Sequence, residues 1–239
     1  MPYAGTGCPA GIIRVLEFFL FLYQNFLQLT KKHKTTAQFL ALALLGFFSF
    51  LMLEITLRYI PASTRASFLQ IKQTEVENLW YYLPVFYTHV YTSMFCLVAG
   101  FTQFSRYLLR EHRSVHRITG YVYVLVVLFF SAPTGFIMGI HANGGGLAIF
   151  FFITLSVLWW AFTLRAVMAA RQQQFREHRF MMIRSYALTL SAITLRLWKW
   201  ILVQFFHPSP MDVYVIVAGL GWIPNWLVAE YIIYKIKSK

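Results

Sequence analysis

Apolar stretches long enough to cross a bilayer recur six times in this chain, near residues 36–60, 79–107, 117–140, 146–169, 180–206 and 212–234. A hydrocarbon core of ~30 Å takes about 20 apolar residues of helix. No water is present there to pair backbone groups, so each stretch has to be helical. The breaks carry turn chemistry: Pro61-Ala62-Ser63, His141-Ala142-Asn143-Gly144-Gly145-Gly146 and His207-Pro208-Ser209-Pro210. Only 12% of the 239 residues are Asp, Glu, Lys or Arg, roughly half of what a soluble domain carries. The expected fold is all-α: a polytopic transmembrane helical bundle of about six spans over 36–239. Residues 1–35 are set apart as an N-terminal helix and basic linker.

That N-terminal helix has two readings. Over 11–29 the polar positions Arg14, Glu17, Gln24, Asn25 and Gln28 fall near one helical face, with aromatics and leucines elsewhere. This suits an amphipathic helix at the interface leading into Lys31-Lys32-His33-Lys34. The alternative is a seventh hydrophobic span with the N-terminus outside. The stretch lacks the basic lead and the small-residue cleavage site of a signal peptide.

The net charge is +13. In a soluble protein that would suggest nucleic acid, but here the cations sit in short loops between apolar runs, and no nucleic-acid partner is expected. Fifteen Lys and Arg residues fall on one side of the predicted spans. They lie in 31–34, 106–117, 165–184 and 235–239, while Arg58, Arg65 and Lys72 lie opposite. Positive-inside bias then places the rich side, and the C-terminus, in the cytoplasm, where Arg-rich loops would meet anionic lipid. The two cysteines, Cys8 and Cys96, have neither disulfide nor metal spacing.

Within the spans, small and polar residues form stripes: His89, Ser93, Cys96, Gly100 and Gln103 on the second, and Ser185, Thr189, Ala192, Arg196 and Lys199 on the fifth. Helix packing in membranes explains such stripes by itself. It does not explain Glu54, His89, Arg196 and Lys199, because an ionisable group at such depth costs at least ~2.5 kcal/mol unless paired or hydrated. An intramembrane polar site of Glu54, His89, Gln103 and Arg196 is expected, with Glu54 and Arg196 as a charge pair. A second concentration lies at the basic loops, where His116-Arg117 and His178-Arg179 each open a helix. Charge bias explains arginines there but not histidines, and imidazole is both a metal ligand and a proton carrier.

Two elements carry a family resemblance. The run His116-Arg117-Ile118-Thr119-Gly120-Tyr121-Val122-Tyr123 resembles an H-R-x-x-G-x-x-Y element. The run Glu177-His178-Arg179-Phe180-Met181-Met182-Ile183-Arg184-Ser185-Tyr186-Ala187-Leu188-Thr189-Leu190, continuing to Arg196, is similar to a longer signature. That signature, H-R-x-x-M-I-R-S-Y-A-L-T-x-A-x-x-T-L-R, belongs to a bacterial membrane family known as domain of unknown function 2306. His89, Gly100 and Gln103-Phe104 stand where that family has a histidine, a glycine and a Gln-Phe pair on the preceding helix. Tyr121 departs from the pattern, which more often has Arg, so one cationic contact at the mouth is in doubt. The resemblance covers roughly 80–205. It implies a multi-pass protein of the bacterial cytoplasmic (inner) membrane and implies no activity. The histidine placement is similar to that of two-haem transmembrane cytochromes b, an analogy of arrangement only.

Two functions are expected from these residues. The first is a b-haem electron-transfer module, with His116 and His178 as axial ligands to haem iron at the cytoplasmic side. Arg117, Arg179 and Arg184 would lie toward the propionates, His89 is a further candidate ligand, and a quinone or a protein is the redox partner. The second is a non-redox protein that binds or transports a small molecule or lipid, with His89, Glu54 and Arg196 as a proton-sensitive group. An accessory subunit of a larger membrane complex is a plainer option. Hydrolase, kinase and protease motifs are absent from the sequence, so an enzymatic role depends on the haem.

Overall fold

The structure is a computed structural model that describes residues 34–104, 109 and 111–238. The chain divides into two units, Met1–Phe47 and Phe48–Lys239. Helix α1, Lys34–Leu57, begins in the first unit and ends in the second. In the second unit a 3-10 turn, Ser67–Lys72, and a short helix α2, Gln73–Asn78, precede α3, Tyr82–Gln103. Then come α4, Arg113–Leu125, a π-helical segment Val126–Ser131, and α5, Ala132–Ile140, which form one rod. Helix α6, Gly145–Arg171, follows. Two further rods are α7, Phe175–Thr189, with α8, Ser191–Phe206, and α9, Pro210–Leu220, with α10, Ile223–Lys237. There is no strand among the described residues.

Five helices are long and apolar enough to cross a membrane: Tyr82–Gly100, Arg113–Ile140, Gly145–Arg171, Phe175–Phe206 and Pro210–Lys237. The sixth expected span, 36–60, corresponds to α1, whose apolar part among the described residues is the shorter Ala43–Leu57. The reading of 11–29 as amphipathic helix or seventh span lies outside the described residues. The outer surface carries the apolar side chains a lipid solvent requires: Phe129, Phe150, Phe205 and Leu227 are exposed on four different rods.

Local chemistry fixes the turns. Between α5 and α6, Gly144 and Gly145 both take positive φ, +88° and +76°. At Gly144 a Cβ would also lie 2.7 Å from Val215 Cγ2, so glycine is required twice over. Helix α9 starts with Ser209, whose hydroxyl accepts from Asp212 N–H at 3.3 Å, and with Pro210 in the first turn.

The π segment has a visible cause and a visible remedy. Pro133 lacks an N–H, and the wide turn before it disrupts the normal ladder. Neighbours bind the local carbonyls: Trp160 Nε1–H donates to Leu128 O at 3.2 Å, Thr134 Oγ1 to Phe130 O at 2.5 Å, and His89 Nδ1–H to Ser131 O at 2.9 Å. A carbonyl can only accept, so His89 carries its proton on Nδ1 in this bond.

At the end of the bundle where α3 begins, Lys72 is only 1% exposed. Its ammonium donates to Glu75 Oε1 at 2.6 Å, and also to His141 O and Asn143 Oδ1. Hydropathy assigns Lys72 to a polar loop as an ordinary charge. It is instead the clip that ties 67–78 to the α5–α6 turn, with all three ammonium protons used. Tyr81 Oη bonds the His141 ring at 3.0 Å beside it.

Candidate functional site

The polar side chains inside the bundle fall into three layers along it. At the basic end, His116 lies in the first turn of α4 and His178 in the first turn of α7. The two imidazoles are within electrostatic range of each other. Gln103, at the end of α3, aligns the neighbouring backbone. Its Nε2 donates to His116 O at 3.0 Å and to Thr119 Oγ1 at 2.7 Å, and its Oε1 would lie 3.2 Å from a Cβ at Gly120. Gln103 therefore belongs to the basic end, not to the intramembrane group with Glu54 and Arg196 in which it was expected.

The two rings differ in state. His178 donates Nδ1–H to Ala166 O at 2.9 Å, which leaves Nε2 as the ring nitrogen not used in that bond. His116 buries its Nδ1 with no hydrogen-bond partner among the described residues. Arg117 and Arg179 are exposed beside them. Arg184, expected with them, is committed elsewhere. It grips Glu230 with two hydrogen bonds, Nε–Oε1 at 2.5 Å and Nη2–Oε2 at 2.7 Å, and lies over the Phe162 ring. Trp226 Nε1–H donates to the same carboxylate at 3.0 Å. Glu230 lies 46 residues from Arg184, so no local spacing announces the pair.

Two helical turns further in is a layer that the sequence reading missed. Tyr123 Oη bonds Ser185 Oγ at 2.7 Å and Thr189 Oγ1 at 2.8 Å. Thr163 Oγ1 bonds Ser185 Oγ at 2.7 Å, and Trp159 Nε1–H donates to Tyr123 Oη at 3.3 Å. Every one of these side chains is buried. Tyr123 follows His116 by seven residues, and Ser185 follows His178 by seven, so each is two turns along on the same face. That shared spacing was the available signal. It was hidden because Tyr123 is one of 14 tyrosines in an aromatic-rich chain.

The third layer is toward the opposite end. His89 is held by Ser131 O and by Thr134 Oγ1 at 3.3 Å, and its ring fills the space above Gly135, where a Cβ would lie 3.1 Å from Cε1. Arg196 is within electrostatic range of His89. Glu54 does not join them. It pairs with Arg58 at 2.5 Å, one turn along its own helix, and both side chains are exposed. The expected Glu54–Arg196 pair is thus replaced by a local i,i+4 pair.

Among the described residues no group of three or more His, Cys, Asp or Glu could hold a metal ion by itself. In comparisons with known proteins, a family model described as "Predicted membrane protein (DUF2306)" matches residues 86–233, more than half of the chain. No curated protein and no solved structure matches.

Proposed function

We propose that this chain, which belongs to the DUF2306 family of predicted membrane proteins, is a b-haem electron-transfer module with His116 and His178 as its axial ligands. The observation that carries the reading is the state of the two rings. His178 fixes Nδ1–H on Ala166 O, the arrangement by which ligand histidines are oriented and made more basic. His116, on the facing rod and within electrostatic range, keeps a buried nitrogen without a partner among the described residues.

Each neighbouring residue has a definable task in this reading. Arg117 and Arg179, exposed at the mouth, are the cations for propionates. Gln103 holds the first turn of α4 through His116 O. The Tyr123 layer locks α4, α6 and α7 two turns from the ligands and keeps water from the interior beyond them. A b haem bound there would supply one-electron transfer between a quinone or protein partner and the basic end of the bundle, which is cytoplasmic in this reading because of its loop charges. Arg184 has no direct part, because Glu230 already neutralises it.

The test is an absorption spectrum of the detergent-purified full chain. A reduced-minus-oxidised haem b difference is expected, lost in His116→Ala and in His178→Ala and retained in His89→Ala if that chain folds. A colourless preparation with full helical content, made under haem-replete expression, refutes the proposal. A non-redox binding protein is the second reading, and Arg196, which has no carboxylate partner among the described residues, is the specific observation that favours it.

A further inference from the structure

Arg196 lies inside a membrane-spanning rod without a carboxylate partner among the described residues. Of the acids near that end, Glu54 pairs with Arg58, Glu75 with Lys72 and Asp212 with the Ser209 hydroxyl, while Glu77 is exposed on α2 and makes no ion pair with Arg196 among the described residues. Lys199, one turn along α8 and exposed, has no ion pair among the described residues either.

Outward snorkelling is the ordinary way for such a side chain to escape lipid, and Arg196 does not do it. Its Nη1–H donates to Ala192 O at 2.6 Å, four residues back along the helix and about 6 Å deeper into the span. The guanidinium is therefore turned inward, where it comes within electrostatic range of His89 on α3 and of Tyr59 in the segment after α1. Neither of these neighbours is a carboxylate: His89 donates to Ser131 O, and Tyr59 is a phenol. The side chain nevertheless remains exposed, and the helix face beyond it carries exposed Trp200 and Val203.

A cation held at depth, accessible and without a counter-ion among the described residues lacks one component. We infer that Arg196, supported by Lys199, binds the anionic oxygens of a membrane-borne amphiphile, a carboxylate or a phosphate headgroup. The lipid-facing surface of α8 supplies the apolar wall for its chain. A guanidinium offers paired N–H donors that match either oxyanion. This inference is independent of the haem reading, which concerns the other end of the bundle.

The test is native mass spectrometry of the full chain titrated with oleate, phosphatidylglycerol, methyl oleate and inorganic phosphate. A saturable adduct with oleate or with phosphatidylglycerol is expected, and none with uncharged methyl oleate. Arg196→Gln should weaken the adduct about tenfold or more, and Arg196→Lys less, while circular dichroism and gel filtration stay unchanged. Whichever of the two lipids binds more tightly identifies the carboxylate or the phosphate as the group. If Arg196→Gln does not fold, Arg196→Lys and Lys199→Gln carry the comparison, and both should bind more weakly than the unsubstituted chain. Equal binding in the folded variants, equal binding of methyl oleate, or retention of inorganic phosphate alone would each overturn the inference.

Discussion

The ring of Tyr186 occupies the space beside Gly100: a Cβ at position 100 would lie 1.9 Å from Tyr186 Cζ. The same tyrosine donates its hydroxyl to Leu97 O at 3.2 Å and packs against Phe104. Glycine is thus the notch through which α7 docks on α3. Gly100→Ala gains about 1 kcal/mol of helix propensity but forces a buried ring to move, at a cost of about 3 kcal/mol. The clash wins. A net loss of about 2 kcal/mol should appear as a lower melting temperature in detergent, and Tyr186→Ala in the same chain should partly relieve it. No change in melting would show that α7 docks differently.

Lys72 serves three acceptors from two parts of the chain. Replacing it with Met strands the Glu75 carboxylate and two carbonyl oxygens in a closed environment. Removing one member of a buried pair costs about 3 kcal/mol or more. Lys72→Met should melt earlier and become sensitive to limited proteolysis within 61–72. Proteolysis at the unsubstituted rate would mean the segment is held by its aromatic contacts alone.

Tyr123→Phe keeps the ring and deletes the hydroxyl on which Ser185, Thr189 and Trp159 converge. Because the partners stay buried and lose a bond, the expected cost is about 2 kcal/mol. Volume is nearly conserved, so a melting shift without change of helical content would isolate the hydrogen-bond effect.

Arg184 and Glu230 are best examined by a double-mutant cycle with Leu at either or both positions. Glu230 is partly open to its surroundings, so solvent screening reduces the pair. A coupling of about 1 kcal/mol is expected from the melting curves. Haem content, if haem is bound, should be unaffected beyond what stability explains. Loss of haem at full stability would restore Arg184 to the site.

Hydropathy made the spans legible because the solvent there is lipid, and length alone then dictates helix. It read 36–60 as a full span, whereas α1 is a 24-residue helix whose apolar part among the described residues is the shorter Ala43–Leu57. The His116 and His178 layer was readable because helical periodicity brings residues at helix starts to the same end. Partner choice was not readable. Glu54 had Arg58 one turn away, and a neighbour on the same helix needs no tertiary arrangement to compete. Arg184 found Glu230 and Lys72 found Asn143 only because the chain returns, which no periodicity encodes. His89 stood out as an ionisable residue at depth. Part of its reason for being there is the open Ser131 carbonyl beside a π turn, and a π turn leaves almost no trace in composition.

The wide turn at Val126–Ser131 also acts as a phase shifter. It holds one residue more than an α-helical turn would, so the faces of α4 and α5 are offset by about 100°. Below it, α4 presents its interior face to α3; above it, α5 leans mainly on α6. One continuous rod thereby serves two different neighbours. Deleting a single residue within that turn would rotate Tyr123 and Gly135 out of step, a greater disturbance than most substitutions could cause. Related chains are best compared across this stretch as two blocks, each in its own register.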